Sequence, residues 1–317
     1  MKLRVAFQMD PIDKINIDQD TTFRIAQKAQ ELGHEIFYYN PESLFFSEGK
    51  VFAKGHYLKI NKNKKNFFDL SDKITIDLAN NLDVIWLRQD PPFDMAYITS
   101  THLLDLISKK TLVINDPFWV RNLPEKIFVL NFADLTPPTL ISKNVEEIKK
   151  FLNVHKKIVI KPLFGNGGAD VFKVKISDPN LNSILEMFNQ KYKEQYIIQK
   201  FLSEVKKGDK RVILIDGKPV GAINRLPKKG EIRSNMHDGG IAQKTNLTVR
   251  DKEICQKIGN ILKKRGQLLV GIDIIGGFLT EINLTSPTGI QEIEKYENID
   301  ISKKIWEVIT KKVKTLS

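Results

Sequence analysis

Three groups of side chains have the types and spacing that phosphate chemistry needs. The first is a lysine, Lys161, that ends the apolar run 158–160 and is followed by Gly165, Gly167 and Gly168. Glycine adopts the positive φ values that let successive backbone N–H groups face an anion. A lysine at the end of a buried strand also needs a partner for its charge. The segment predicts a phosphate-binding loop, and the alternative is a flexible connection between strands.

The second group consists of hard oxygen ligands around a Gly-Gly turn. Asp273 precedes the turn, and Glu281 and Asn283 follow it two residues apart, so the latter two share one face of a strand. Two carboxylates and an amide oxygen suit a Mg²⁺ ion that bridges nucleotide phosphates. The alternative is a strand with one polar side facing solvent. A slip of one residue in the strand register would move Asp273 to the other face.

The third group is a set of arginines in an arginine-poor chain. Arg211, Arg225 and Arg233 fall within 23 residues, although the whole chain has only nine arginines. They precede or lie within segment 226–240, which is polar and rich in glycine, lysine and asparagine. Guanidinium groups suit carboxylate or phosphate clamps, and a long loop with glycines suits a lid. The alternative is chance placement with surface pairing.

The first third of the chain predicts a parallel sheet that would carry one side of such a site. Predicted strands alternate there with predicted helices, which is typical of βαβ units. The strands are residues 3–9, 35–39, 84–87 and 111–114, and the helices are residues 21–32 and 98–107. The lysine- and asparagine-rich stretch 59–65 predicts a surface excursion from this unit.

The alternation of predicted strands and helices ends at residues 116–125, where prolines interrupt the chain. This change predicts a domain boundary. Beyond it, strands are predicted at 158–161, 171–175 and 196–201, two hairpins turn at Asp216-Gly217 and Gly276-Gly277, and helices span 250–264 and 301–313. The predicted fold class is α/β and α+β. A doubly wound N-terminal domain, residues 1–122, precedes a larger domain, residues 123–317.

Composition excludes several classes of protein. The chain has 317 residues, 41% of them hydrophobic, and no apolar run approaches the ~18 residues of a membrane span. A single cysteine, Cys255, excludes internal disulfides and multi-cysteine metal sites and predicts a reduced, cytoplasmic protein. The net charge of +12 raises nucleic acid as a partner. The scattered lysines and rare arginines favour a solvated surface instead, without a nucleic-acid or membrane partner.

Together, these segments resemble the prokaryotic glutathione synthetase family of the ATP-grasp superfamily over almost the whole chain. The most specific stretches are residues 9–17, 88–94, 161–168, 208–211 and 279–288. The resemblance implies an ATP-grasp fold after a Rossmann-like N-terminal domain, with 165–168 as the glycine-rich loop and 226–240 as the lid. It implies a ligase that joins γ-glutamylcysteine to glycine through an acyl phosphate while ATP becomes ADP and phosphate. It also implies a homo-oligomer, a tetramer.

The resemblance assigns roles to residues by position. Catalytic roles are implied for Arg211, Arg225 and Lys161. ATP contacts are implied for Lys126, Lys161, Gly165, Asn166, Gly167, Gly168, Gln199, Lys200, Phe201, Leu202 and Asp209. Substrate contacts are implied for Asn16, Arg88, Arg211, Arg225, Arg233, Gly239, Gly240 and Ser286. The implied ligands of Mg²⁺, with Mn²⁺ as an alternative, are Asp273, Glu281 and Asn283. Ile241 and Gln291 stand where relatives often carry arginine.

Two other functions remain as alternatives. Another carboxylate–amine ligase would share the chemistry but use a different acceptor, and the segments with Asn16 and Arg88 argue against it. A non-catalytic nucleotide- or polyanion-binding protein would use the positive charge alone. Lys161, Glu281 and Asn283 argue against that function, because a binding module does not need metal ligands beside a phosphate loop.

Overall fold

The N-terminal part of the chain forms a sheet around four parallel strands. The computed structural model describes residues 1–61, 63–165, 167–228, 230–231, 233–234 and 240–316. Within these residues the strands of the first sheet run in the order β3-β4-β2-β1-β7-β8, with β5 and β6 also paired to β4. The strands are β1 Arg4–Gln8, β2 Glu35–Tyr39, β3 Leu44–Ser47, β4 Lys50–Ile60, β5 Phe68–Leu70, β6 Ile74–Asp77, β7 Val84–Leu87 and β8 Leu112–Ile114.

Two antiparallel sheets make up the rest of the fold. One has the order β11-β10-β12-β9 and the other β15-β14-β13-β16-β17. Their strands are β9 Thr139–Ser142, β10 Lys157–Pro162, β11 Phe172–Lys175, β12 Tyr196–Lys200, β13 Asp209–Ile215, β14 Lys218–Leu226, β15 Ile241–Lys244, β16 Leu269–Ile275 and β17 Phe278–Asn283.

Helices cover the sheets. They are α1 Thr21–Glu31, α2 Leu78–Asn81, α3 Met95–Asp105, α4 Pro117–Asn122, α5 Glu125–Phe128, α6 Val145–His155, α7 Leu181–Lys191, α8 Val249–Lys264, α9 Ile290–Glu297 and α10 Ile301–Leu316. In the described part of the chain, no helix combines the length and the apolar character that crossing a membrane requires.

The first sheet is covered on both faces, as the doubly wound pattern predicts. Val5 and Phe7 of β1 pack in a core with α1 and α10, whereas Ala6 between them packs in a second core with α2 and α3. The indole of Trp306 in α10 donates to the carbonyl of Ile25 in α1 at 3.0 Å. The last helix of the chain thus completes the N-terminal layer, and the predicted boundary at residues 122 and 123 stays a prediction.

The two predicted hairpins form at the predicted turns. Asp216 and Gly217 have φ values of 49° and 79°, and Gly276 and Gly277 have φ values of 57° and 79°. Two successive residues with positive φ are the signature of a type I′ turn, whose twist matches that of the flanking strands. Each turn, together with a β-bulge in its hairpin that shifts the pairing by one residue, sets the registers of β13 with β14 and of β16 with β17, on which the site depends.

Some predictions for the first sheet are wrong or incomplete. The four parallel strands are confirmed, but the antiparallel strands β3 to β6 were not predicted. The predicted surface excursion at 59–65 is wrong at its start, since Lys59 and Ile60 end β4 and pair with β5. A lysine-rich strand can form here because Leu58 and Ile60 alternate with Lys59 and point into the core.

Candidate active site

A deep groove lies where the two antiparallel sheets meet the carboxyl edge of the first sheet. Its volume is about 960 Å³, and both sheets and the segments after β1 and β7 line it. The carboxyl ends of parallel strands are the usual place for ligands in such sheets. The groove therefore brings together residues from most of the segments that the sequence marks.

Two lysines from different elements approach one carboxylate in the middle of the groove. Nζ of Lys161 on β10 lies 3.2 Å from Oε1 of Glu281 on β17, and Nζ of Lys126 in α5 lies 3.8 Å from it. Lys126 also donates to the carbonyl of Gly165 at 2.5 Å, which ties the glycine-rich segment to α5. Burial opposes ionisation of Glu281, but the two ammonium groups hold the pKa of its carboxyl below its usual range. The cluster keeps a net positive charge, as phosphate binding requires.

A chain of four buried charges lies beside this cluster. Arg211 donates to Asp273 through Nε at 2.5 Å and Nη2 at 3.0 Å. Nη2 of Arg225 lies 2.9 Å from Oδ1 of Asp273 and 2.6 Å from Oδ2 of Asp209. The hydroxyl of Ser234 donates to the same Asp209 oxygen at 2.8 Å. Two arginines and two aspartates thus alternate, so each charge is compensated by its neighbours.

The strand register creates this chain of charges. Arg211 on β13 is paired with Asp273 on β16, and Asp209 on β13 is paired with Arg225 on β14. Asp273 is in turn paired with Glu281 on β17. Directly opposed side chains on neighbouring strands lie close enough to interact. A β-bulge between Asp273 and Ile274 makes Glu281, rather than Thr280, the partner of Asp273.

Burial acts on the two aspartates with different results. It raises the pKa of Asp209 to about 6, even though Arg225 stabilises the carboxylate. Burial also penalises the charge of Asp273, but Arg211 and Arg225 outweigh it and hold the pKa of that carboxyl well below its usual range. Of the two carboxyls, Asp209 is therefore the one that takes up a proton more readily.

The oxygen atoms near the lysines fit a hard divalent cation. Nδ2 of Asn283 donates to the carbonyl of Gly271 and to Oδ2 of Asp273, each at 3.3 Å, which leaves Oδ1 of Asn283 to accept. Glu281 adds carboxylate oxygens, and Asp273 binds Arg211 through both of its own. Carboxylate and amide oxygens are the donors that Mg²⁺ prefers. Among the described residues, no cluster of three or more His, Cys, Asp and Glu side chains forms a metal site by itself.

One end of the groove is bounded by the end of β12. Gln199, Phe201 and Leu202 line it with Lys200. The side-chain amide of Gln199 donates to the hydroxyl of Thr139 at 3.1 Å, and the ammonium of Lys173 lies 4.3 Å from the centre of the Phe201 ring. A mixed apolar and amide surface at the end of a strand suits a flat heterocycle that hydrogen-bonds to a backbone.

The other end of the groove is built around a buried guanidinium. Arg88 follows β7, is 3% exposed, and donates to the hydroxyl of Thr22 at 2.9 Å and to the carbonyl of Pro287 at 3.2 Å. Its Nη1 is buried and has no hydrogen-bond partner in the described part of the chain. Ser286 donates to Asp90 at 2.5 Å on the same wall. A guanidinium with spare donors in a small pocket suits a carboxylate of a small substrate.

Most of the predicted site residues meet in the groove. Every one that the structure describes lines it, except Gly240. Asn166 and Gly239 lie outside the described residues. Arg233 lines the groove with its Nε 3.3 Å from Glu231, and Ile241, which begins β15, is 61% exposed. The chemical roles of these residues stay predictions.

Sequence reasoning missed other groove residues. Glu125 lies beside Lys126, accepts a hydrogen bond from Thr285 at 2.9 Å, and has its pKa raised by burial. Asp20 lines the groove near Arg88 and accepts from the N–H of Phe23 at 2.5 Å as the N-cap of α1. The N-cap position of Asp20 was a readable signal, since it precedes a helical pattern. Nothing in the sequence marked Glu125 as a site residue, apart from its position next to Lys126.

Comparison with known proteins identifies the family. The model of the prokaryotic glutathione synthetase N-terminal domain matches residues 3–121, and that of the ATP-grasp domain of the same enzymes matches residues 125–298. A glutathione synthetase of Mesorhizobium japonicum is 52% identical over 314 residues, which are 99% of this chain and 100% of the relative. One of Agrobacterium fabrum is 54% identical over 97% of this chain and 96% of its own. One of Escherichia coli is 40% identical over 97% and 98%.

Solved structures support the fold alone. A D-cycloserine synthetase superposes with a TM-score of 0.67 at 13% identity, covering 99% of this chain and 100% of that one. D-alanyl-alanine synthetase A of Vibrio cholerae superposes with a TM-score of 0.60 at 14% identity, covering 99% of each chain. These similarities confirm the predicted ATP-grasp architecture. The chain belongs to the prokaryotic glutathione synthetase family and is an ATP-dependent ligase.

Proposed function

We propose that the groove joins γ-glutamylcysteine to glycine in two steps. An oxygen of the cysteinyl carboxylate forms a bond to the γ-phosphorus of ATP, and the bond from that phosphorus to ADP breaks. The glycine nitrogen then forms a bond to the acyl carbon, and phosphate leaves with the electrons of the C–O bond. The amine proton goes to solvent or to a phosphate oxygen. Glutathione, ADP and phosphate are the products.

One observation carries this proposal: the lysine cluster and the arginine–aspartate chain lie side by side in one groove. The lysine pair around Glu281 suits phosphates, and the arginines around Asp273 suit the anions that form when a carboxylate is phosphorylated. An apolar edge lies at one end of the groove and Arg88 at the other. A nucleotide and a small carboxylate substrate thus have separate places on either side of one charged centre.

Lys126 and Lys161 would hold the ATP phosphates. Both ammonium groups already lie near Glu281, and Lys126 is only 5% exposed, so their positions are set before a nucleotide binds. The adenine would lie at the end of β12 along Gln199–Leu202, and Asp209 would accept from the ribose. Charged groups that are already in place need not rearrange when the phosphoryl group is transferred. Their electrostatic stabilisation of the transition state is therefore large.

Arg211 and Arg225 would stabilise the charge that develops at the reacting carboxyl. Asp273 orients both guanidinium groups, and Nη1 of Arg211 also donates to the carbonyl of Thr288 at 3.2 Å. The cavity would change little as the acyl phosphate forms, because these contacts are buried. Glu281 and Asn283, with Asp273, would hold Mg²⁺, which when bound neutralises charge on the transferring phosphoryl group.

Several further features complete the proposal. The α-carboxylate of the γ-glutamyl end would bind Arg88, with Asn16 and Ser286 beside it. Arg233 would face the glycine carboxylate, and segment 226–240 would close over the acyl phosphate and exclude the water that hydrolyses it. As in the resemblance to the family, we propose a cytoplasmic tetramer.

An ADP-release assay with omitted substrates tests the proposed function. We expect ADP to form with ATP, Mg²⁺, γ-glutamylcysteine and glycine together, with one peptide made per ADP. Omission of the dipeptide should abolish release, and omission of glycine should reduce it to a single turnover or a slow leak. Replacing glycine with D-alanine or glutamate tests the alternative ligases. Sustained turnover without glycine, or none with all substrates, would contradict the proposal.

A further inference from the structure

The loop beside Arg88 that lines the groove at residues 16–20 is held by a side chain from the C-terminal part of the sequence. The amide Nε2 of Gln291 donates to the carbonyl of Ile17 at 2.9 Å and to the carbonyl of Asp20 at 2.7 Å. Gln291 is the second residue of α9 and lies outside the groove lining. One amide group on α9, which follows β17, is thus bonded to the loop at residues 16–20.

This loop presents its side chains to the groove. Asn16, Gln19 and Asp20 all line it. The carbonyl of Asn16 accepts from the N–H groups of Gln19 at 3.0 Å and Asp20 at 2.8 Å, so the loop is one tight turn that moves as a unit. Asp20 then caps α1, and Thr22 in the first turn of α1 bonds Arg88. A shift of the two carbonyls held by Gln291 would therefore change the distance from the loop to Arg88.

The helix that carries Gln291 is itself fixed on two sides. Glu294 accepts from Nε of Arg24 in α1 at 2.7 Å, and the hydroxyl of Tyr296 donates to the carbonyl of Ala242 on β15 at 2.8 Å. Gln291 is therefore presented by a rigid element. The loop is also held by Ile17, which packs against the core, and by the N–H of Arg24, which donates to the carbonyl of Asp20 at 3.3 Å. The ion pair between Lys64 and Asp18 at 2.6 Å is exposed and contributes little, so the amide of Gln291 is a stronger polar constraint than that pair.

We propose that Gln291 is a positioning residue for the dipeptide, acting through the backbone of loop 16–20. This inference rests on the proposed function, because it takes the Arg88 end of the groove as the place of the γ-glutamyl group. Gln291 would set the spacing between that loop and Arg88 and so the affinity for γ-glutamylcysteine. The lysine cluster and the end of β12 lie on other elements, so ATP affinity would not depend on it.

Steady-state kinetics of Gln291→Met test the proposal. Methionine keeps the length and packing of glutamine but cannot donate, and loss of two hydrogen bonds should raise KM for γ-glutamylcysteine by about 10-fold. KM for ATP and kcat at saturating dipeptide should stay at wild-type values. Gln291→Lys restores a donor on a flexible stem and should recover most of the dipeptide affinity.

The matched control is Gln30→Met. Gln30 also bridges an α-helix to a backbone, donating to the carbonyl of Ile60 at 2.7 Å and accepting from its N–H at 2.7 Å, but it lies away from the groove. Its replacement should cost comparable thermal stability and leave all three KM values unchanged. This comparison separates a general loss of stability from a specific effect on the dipeptide.

Each result decides the inference. Unchanged dipeptide KM in Gln291→Met, equal rises in the KM of ATP and dipeptide, or no recovery in Gln291→Lys would overturn it. If Gln291→Met does not fold, Gln291→Glu takes its place, since its carboxylate accepts but does not donate and must raise the dipeptide KM in the same way. Failure of the proposed function looks different, because the wild-type chain itself would then not consume γ-glutamylcysteine.

Discussion

Replacing Arg225 with methionine removes a cation that two buried carboxylates share. Nη2 of Arg225 lies 2.6 Å from Asp209 and 2.9 Å from Asp273, and Arg225 is 3% exposed. Methionine fills a similar length with apolar atoms and contributes no charge. Asp273 keeps Arg211 as a partner, whereas Asp209 keeps only the hydroxyl of Ser234 among the contacts described above.

The loss of stability should be large, because it leaves a buried charge uncompensated. Removing one partner of a buried ion pair costs about 3–5 kcal/mol of the free energy of unfolding. For a chain of this size, that corresponds to a fall in Tm of roughly 4–8 °C. The matched control is Arg4→Met. Arg4 pairs with Asp83 at 2.8 Å, but its side chain is 47% exposed, so its loss should cost no more than about 1 kcal/mol.

The loss should also depend on pH in a defined direction. Burial already raises the pKa of Asp209 to about 6, and without Arg225 that pKa rises further. A carboxyl whose pKa is higher in the folded than in the unfolded state binds protons on folding. Its penalty is therefore full above the folded pKa and is relieved as the pH falls below it. Arg225→Met should lose more stability at about pH 8 than at about pH 5.

Thermal and urea unfolding, followed by the fluorescence of the buried Trp86 and Trp306, measures both effects. Adding Asp209→Asn to Arg225→Met removes the uncompensated buried charge and should recover most of the lost stability at high pH. If Arg225→Met proves no more destabilising than Arg4→Met, or if its loss is the same at both pH values, the reasoning about this buried chain is wrong.

Three further predictions concern the groove. Glu281→Gln should lower kcat by about 100-fold or more at saturating Mg²⁺ with the fold intact, and wild-type turnover in the ADP-release assay would contradict the metal assignment. Trypsin should cut segment 226–240 after the exposed Lys228 in the free enzyme. ATP, Mg²⁺ and γ-glutamylcysteine together should suppress this cut. Equal cleavage with and without these ligands would show that the segment is an ordinary surface loop. KM for ATP should rise as the pH falls through about 6, because a protonated Asp209 is a weaker acceptor for the ribose, and a flat profile from pH-dependent kinetics would refute this role.

The elements predicted most accurately are those whose ends carry a local signal. Helix α1 ends before Gly33, which has a φ of 80°, and the two hairpins turn where positive φ is needed. Strands β3 and β4 were missed although the same signal joins them, since Glu48 and Gly49 between them have φ values of 49° and 80°. Strands β5 and β6 are only 3 and 4 residues long, too short for a clear alternation. Helix α9 was not predicted either, although it carries the amide that holds loop 16–20.

The site was predictable as a set of residues but not as an arrangement. Asp273, Glu281 and Arg211 could be singled out by type in an apolar, arginine-poor context. Their contacts depend on pairings between strands far apart in sequence, such as the pairing of Arg211 on β13 with Asp273 on β16. The sharing of Arg225 by two carboxylates joins residues 16 and 48 positions away in sequence, which no local pattern encodes.

Transfer of an oxygen label tests the central claim most directly. With both oxygens of the cysteinyl carboxylate of γ-glutamylcysteine labelled as ¹⁸O, an acyl phosphate intermediate passes one of them to phosphorus when the first bond forms. After complete conversion in the presence of ATP, Mg²⁺ and glycine, mass spectrometry should find one ¹⁸O atom in each inorganic phosphate and one in the new amide. Unlabelled phosphate, with peptide formed, would contradict ligation through an acyl phosphate in this groove.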